Sequence, residues 1–91
     1  MKKRLHVLVH GKVQGVNFRW ATYEKALQLD LVGWVKNTPD RKVEAIFEGE
    51  EEDLEEMLKF VKAGPPASRV RAVGEEFSEP LNKFRDFVID Y

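Results

Sequence analysis

The 91 residues are enough for one compact domain and too few for two, so residues 1–91 are expected to fold as a single unit. Lys and Arg number 15 against 16 Asp and Glu, for a formal net charge of -1. This argues against a broad basic footprint for nucleic acid and leaves room for a local anion pocket. The absence of cysteine excludes disulfides, thiolate catalysis and cysteine-ligated zinc. No apolar run approaches the length of a signal core or a membrane span, and the expectation is a soluble, cytoplasmic protein.

In chain order, Leu5, Val7 and Val9 alternate with His6, Leu8 and His10, and a period of two predicts a strand with one strongly apolar face. Four residues along a strand is roughly 13 Å, too far for His6 and His10 to share one metal ion. Phe18 to Leu31 is helical in composition, with Trp20, Tyr23, Ala26, Leu27 and Leu29 as its expected apolar side. Asp30 lies where negative charge is disfavoured, although aspartate tolerates the left-handed conformation that can close a helix. Val32 to Lys36 reads as a second strand. Asn37-Thr38-Pro39-Asp40-Arg41 favours a turn, and Lys42 to Glu48 alternates again. Val43, Ala45 and Phe47 would face one way and Glu44, Ile46 and Glu48 the other, completing a hairpin.

Gly49 breaks the alternation, and Glu50 to Asp53 stack acidic charge on a helix start, where the dipole favours it. Leu54, Met57, Leu58 and Val61 keep helical spacing up to the stop at Gly64-Pro65-Pro66. Val70, Ala72 and, after an interruption at Gly74, Phe77 suggest a fourth strand; Phe84, Phe87, Val88 and Ile89 suggest a terminal one beyond Pro80-Leu81-Asn82. The order predicts an α+β, ferredoxin-like split βαβ sandwich (βαββαβ), a mainly antiparallel sheet with two helices on one face.

His10 to Arg19 joins the first strand to the first helix through Gly11 and Gly15. Glycines allow the chain to curl and turn several N–H groups toward one point, and the helix start adds partial positive charge. Arg19, in the first turn, opposes the helix dipole but offers a planar fork of donors suited to phosphate. These features support a phosphate cradle; a plain strand–turn–helix with a solvated arginine is the alternative. Asn37 likewise has two readings, a functional amide or a side chain that bonds its own turn. No Gly-Lys-Ser/Thr loop or Gly-x-Gly-x-x-Gly is present, neither Ser68 nor Ser78 lies in a nucleophile motif, and no metal-ligand spacing is found.

Two segments carry a resemblance. Gly11-Lys12-Val13-Gln14-Gly15-Val16-Asn17-Phe18-Arg19, and Gly33-Trp34-Val35-Lys36-Asn37 followed by Val43 and Gly49, closely resemble the two signatures of the acylphosphatase family, in the same order, within a match over essentially the whole chain. The resemblance implies a metal- and cofactor-independent hydrolase that converts small acyl phosphates to a carboxylate and inorganic phosphate. It implies that Gln14, Gly15, Val16, Asn17, Phe18 and Arg19 bind the phosphoryl group and that Asn37 orients the attacking water. A monomer without nucleic-acid or membrane partners is expected. A non-enzymatic module that senses a phosphorylated or carboxylated ligand is the second hypothesis. Where the family usually has glycine four residues beyond the asparagine, this chain has Arg41, which is strained if the turn requires positive φ.

Overall fold

In the computed structural model, which describes residues 1–91, the N-terminal alternation is strand β1 (Lys2–Lys12), with Leu5, Val7 and Val9 fully buried. Helix α1 (Phe18–Gln28), strands β2 (Val32–Asn37) and β3 (Val43–Glu50), helix α2 (Glu51–Ala63), and strands β4 (Arg69–Ser78) and β5 (Phe87–Asp90) follow. They form one five-stranded sheet in the order β4-β1-β3-β2-β5. Every neighbouring pair is antiparallel except β2–β5. The inward row Leu5, Val7 and Val9 pairs with Phe47, Ala45 and Val43, and both helices lie on that face, in the ferredoxin-like arrangement. From α2 the buried residues are Leu54, Met57, Leu58 and Val61, the four that the spacing singled out. No helix is long and apolar enough to cross a membrane.

Helix α1 differs from its expected orientation. Its buried residues are Phe18, Thr22 and Ala26, one every four, while Trp20 and Leu27 are 48% and 50% exposed. Phe18 is buried where the loop ends, and residues one and two turns further on follow it inward whatever their polarity. Trp20 stacks instead on Tyr23, with ring centroids 5.3 Å apart. The helix stops at Gln28, short of Leu31: Asp30 takes φ 55 and Leu31 leaves the helix for the core.

Three strand boundaries also differ. β4 runs unbroken through Gly74, which pairs with Leu8, and the irregularity falls nearer its start, where His10 pairs with Ala72 and Gly11 with Val70, leaving Arg71 as the extra residue of a bulge. Gly11 has φ 132, and a Cβ there would stand 2.0 Å from the Arg69 carbonyl oxygen, so the close approach of β4 requires glycine. Asn37 is the last residue of β2, paired with Val43, rather than the first of the turn. β5 begins at Phe87, after Phe84, where the Gly33 N–H donates to the Asp86 carbonyl at 3.0 Å and Phe87 stacks on Phe47.

The face away from the helices is less wet than alternation suggests. Ile46, between His6 and Trp34 on the neighbouring strands, and Glu48 are buried. The Glu48 carboxylate accepts the N–H groups of Leu81 at 2.9 Å and Asn82 at 3.1 Å, with Arg4 Nη1 3.7 Å away. Buried charge is tolerated when it is hydrogen-bonded in this way, and the bond pins the connection between β4 and β5 to the sheet.

Candidate active site

The segment between β1 and α1 curls because Gly15 sits at φ 73 and Asn17 at φ 65. Asn17 caps α1 by position but makes no side-chain cap bond, and the first turn holds no acidic residue. The helix start therefore presents N–H groups and partial positive charge that no side chain of its own neutralises. Arg19 stands in that turn. It makes no ion pair, and its guanidinium lies over the Tyr91 ring, 4.9 Å from the centroid.

A cleft of about 220 Å³ opens between the loop and the end of β2. Gly15, Asn17, Phe18 and Arg19 line one side, Asn37 another, with Ile89 and Tyr91 from the C-terminal end completing the wall. Arg19 and Asn37 thus share one cavity. No Asp, Glu or His lines it. Three buried side-chain polar atoms in the chain lack a hydrogen-bond partner: Arg4 Nη1, Thr22 Oγ1 and Asn37 Oδ1. Arg4 Nη1 has the Glu48 charge nearby and Thr22 lies inside the packed core. Only Asn37 Oδ1 belongs to a residue on the wall of this cleft. Unsatisfied buried oxygens are costly, so Asn37 carries a side-chain amide whose hydrogen-bonding capacity the fold itself does not fully use.

The remaining residues of the expected set divide. Val16 packs against the core and Gln14 turns away, so neither side chain lines the cleft. Gln14 Nε2 donates to the carbonyl oxygens of Thr38 and Lys42, both at 2.9 Å. Both amide protons are used, and the loop is thereby bracketed to the hairpin that carries Asn37. The hairpin is closed further by the Thr38 N–H donating to the Lys42 carbonyl at 2.9 Å and the Lys42 N–H donating to Thr38 Oγ1 at 3.0 Å. Asp40 accepts from Lys42 Nζ at 2.6 Å and from the Thr38 hydroxyl, and these two bonds hold its carboxyl down at about 2. Arg41 takes φ 68, the left-handed angle at which a side chain is strained.

Sequence reasoning did not anticipate the Gln14 bracket or the part played by Ile89 and Tyr91. Both depend on contacts between segments far apart in the chain, for which local pattern carries no signal. His6 is engaged by Glu44, with Nε2 and Oε2 2.7 Å apart, and lies outside the cleft.

The acylphosphatase family model matches residues 5–89 of the chain. An acylphosphatase of Trichormus variabilis is 53% identical over 85% of this chain and 76% of its own length. One of Geotalea uraniireducens is 44% identical over the whole of both. The crystal structure of acylphosphatase from Bacillus subtilis superposes with a TM-score of 0.94 at 37% identity, covering 98% of this chain and 99% of that one.

Proposed function

The chain belongs to the acylphosphatase family, and from that premise we propose that it hydrolyses the carboxyl–phosphate anhydride bond of small acyl phosphates without metal or organic cofactor. The observation that carries the reading is the pairing, in one cleft, of an arginine without an ionic partner and a buried asparagine oxygen without a hydrogen-bond partner. The Arg19 fork and the main chain from Gln14 to Phe18 hold the phosphoryl oxygens, with the start of α1 adding its positive potential. Gln14 serves through its backbone and by bracketing the loop. The Asn37 side-chain amide, on the cleft wall, hydrogen-bonds the attacking water and holds it in line with phosphorus.

Water then forms a bond to phosphorus as the bond to the acyl oxygen breaks, and the carboxylate departs with the electron pair. With no Asp, Glu or His side chain in the cleft wall, the water's proton passes to a phosphoryl oxygen. A mixed anhydride has a good leaving group, so positioning and charge stabilisation supply most of the acceleration. On the same reading residues 1–91 work as one domain, as a cytoplasmic monomer, releasing inorganic phosphate and engaging neither nucleic acid nor membrane.

The test is release of inorganic phosphate from benzoyl phosphate, with and without exhaustive chelation. Turnover is expected to be unchanged by the chelator. Arg19→Gln lowers both the turnover number and the affinity for inhibitory phosphate, with poor rescue by Lys. Asn37→Ala lowers turnover by about 2.7–4 kcal/mol of barrier while leaving phosphate inhibition nearly unchanged. Phosphate binding without turnover would favour a sensing module. Full activity of Asn37→Ala would reduce that residue to the hairpin's structure.

A further inference from the structure

A second cleft, of about 540 Å³, lies against the hairpin and the start of β4, and its wall is basic. Lys12, Arg41, Arg69 and Arg71 line it, and none of the four makes an ion pair anywhere in the chain. Lys42, also in the wall, is matched by Asp40. Acidic residues outnumber basic ones overall, so gathering four uncompensated cations in one place is unfavourable for the folded chain and has no evident structural return. A second, independent feature points the same way. Arg41 holds its charge there from a left-handed backbone at φ 68, where glycine would be unstrained.

A third cavity lies between this cleft and the active one and shares wall residues with both. This shallow trough of about 390 Å³ shares Gly11, Lys12 and Arg41 with the basic cleft, and Val13 and Gly15 with the active-site cleft. Gly15 marks the crossing, and nothing stands within 4 Å of where its Cβ would be. Gly15 thus lines both cavities with no side chain of its own between them, so the tail of a ligand anchored at Arg19 would leave toward the cations across Gly15.

We infer that this groove is a subsite for a second negative group, so that the preferred substrates are acyl phosphates whose acyl chain ends in a carboxylate or phosphate. The inference rests on the proposed activity for the phosphoryl end of the ligand. The groove supplies affinity for the tail and leaves the reacting end unchanged, so the preference resides in KM rather than kcat. It is screened by salt, because the cations are exposed.

The experiment compares kcat/KM for adipyl phosphate, for hexanoyl phosphate, which is matched in chain length but uncharged at its end, and for a six-carbon acyl phosphate ending in a phosphomonoester. At low salt the charged tails are favoured by about fivefold for each cation engaged, the upper range for an exposed pair. Lys12→Gln, Arg41→Gln and the double variant Arg69→Gln/Arg71→Gln each shrink that ratio while leaving hexanoyl phosphate turnover unchanged. The two charged tails distinguish carboxylate from phosphate recognition. No preference in the native protein, or equal loss on charged and neutral tails in the variants, overturns the subsite; the latter would mark general steering of anions. The matching non-hydrolysable acyl phosphonates, titrated calorimetrically, read the groove without turnover. A tail preference there in a protein that hydrolyses none of the three phosphates would sustain the subsite and refute the proposed hydrolysis.

Discussion

Replacing Gln14 with Glu alters two hydrogen bonds and almost nothing of the shape. In the native protein Nε2 donates to the Thr38 and Lys42 carbonyls at 2.9 Å each; an ionised carboxylate offers them only oxygen. Two neutral bonds are worth about 2 kcal/mol together. The abandoned carbonyls keep backbone donors, Arg41 N–H on Thr38 and Thr38 N–H on Lys42, so the further penalty comes chiefly from carboxylate facing carbonyl oxygen. A total of about 2–4 kcal/mol follows. Protonation restores one donor, so the introduced carboxyl has its pKa raised in the folded state. The deficit is then full above that raised value and shrinks as pH falls through it. Urea titrations of native, Gln14→Glu and Gln14→Ala proteins at neutral and mildly acidic pH measure both effects. Turnover under folding conditions is expected to fall more than phosphate affinity, because the bracket sets where Asn37 stands relative to the loop. Native stability and native turnover in Gln14→Glu at neutral pH would show that the bracket holds nothing together.

Arg41→Gly removes a left-handed side chain and is expected to stabilise by up to about 1 kcal/mol, strain relief exceeding the added freedom of the unfolded chain; loss of several kcal/mol in a denaturation curve would contradict this. Glu48→Gln leaves one acceptor oxygen for two amide donors and sets an NH₂ group against the other, so a loss of about 2–4 kcal/mol is expected, and a change within experimental error would mean the β4–β5 connection holds itself. The Asp40 carboxyl is depressed from 3.8 to about 2 by Lys42 and Thr38, so its contribution is present above 3.8 and is lost as pH falls toward 2. The urea midpoints of native and Asp40→Asn proteins should accordingly converge across that window, and a gap that stays constant to pH 2 would refute the assignment.

Legibility in the sequence followed the range of the interactions concerned. Leu5, Val7 and Val9, and the α2 row from Leu54 to Val61, were readable because burial there repeats with the period of the element itself. Asp30 closing α1 at φ 55 was likewise a local matter. Helix α1 misled because the buried side is chosen by where Phe18 docks, which brings the polar Thr22 inward and leaves Trp20 outside. Gly74 suggested a break, yet an edge strand paired on one side only can carry glycine where the backbone ladder continues. Glu48 looked solvated because alternation cannot show that Leu81 and Asn82 will come to cover it. At the site, the two glycines and Arg19 were visible as a tight loop running into a helix start with an arginine in its first turn. That Asn37 would face the same cleft depends on β2 joining β3 and on Gln14 reaching the hairpin, neither of which is written near Asn37 itself.

The strand order has a bearing on how the chain reaches this state. Only β2 and β3 are neighbours both in sequence and in the sheet. β1 must find Glu50 from Lys2 and Ser78 from Arg4, while β2 waits for Phe87 to arrive beside Gly33. Closing such distant pairs loses chain entropy before their contacts compensate, which makes folding slow whatever the helices do early. The loop and hairpin are joined only once β1 and β3 are paired, and Tyr91 comes over Arg19 only after β5 docks. A refolding chain would therefore regain secondary structure well before catalysis, and a lesion that delays β1 pairing would register first as missing activity.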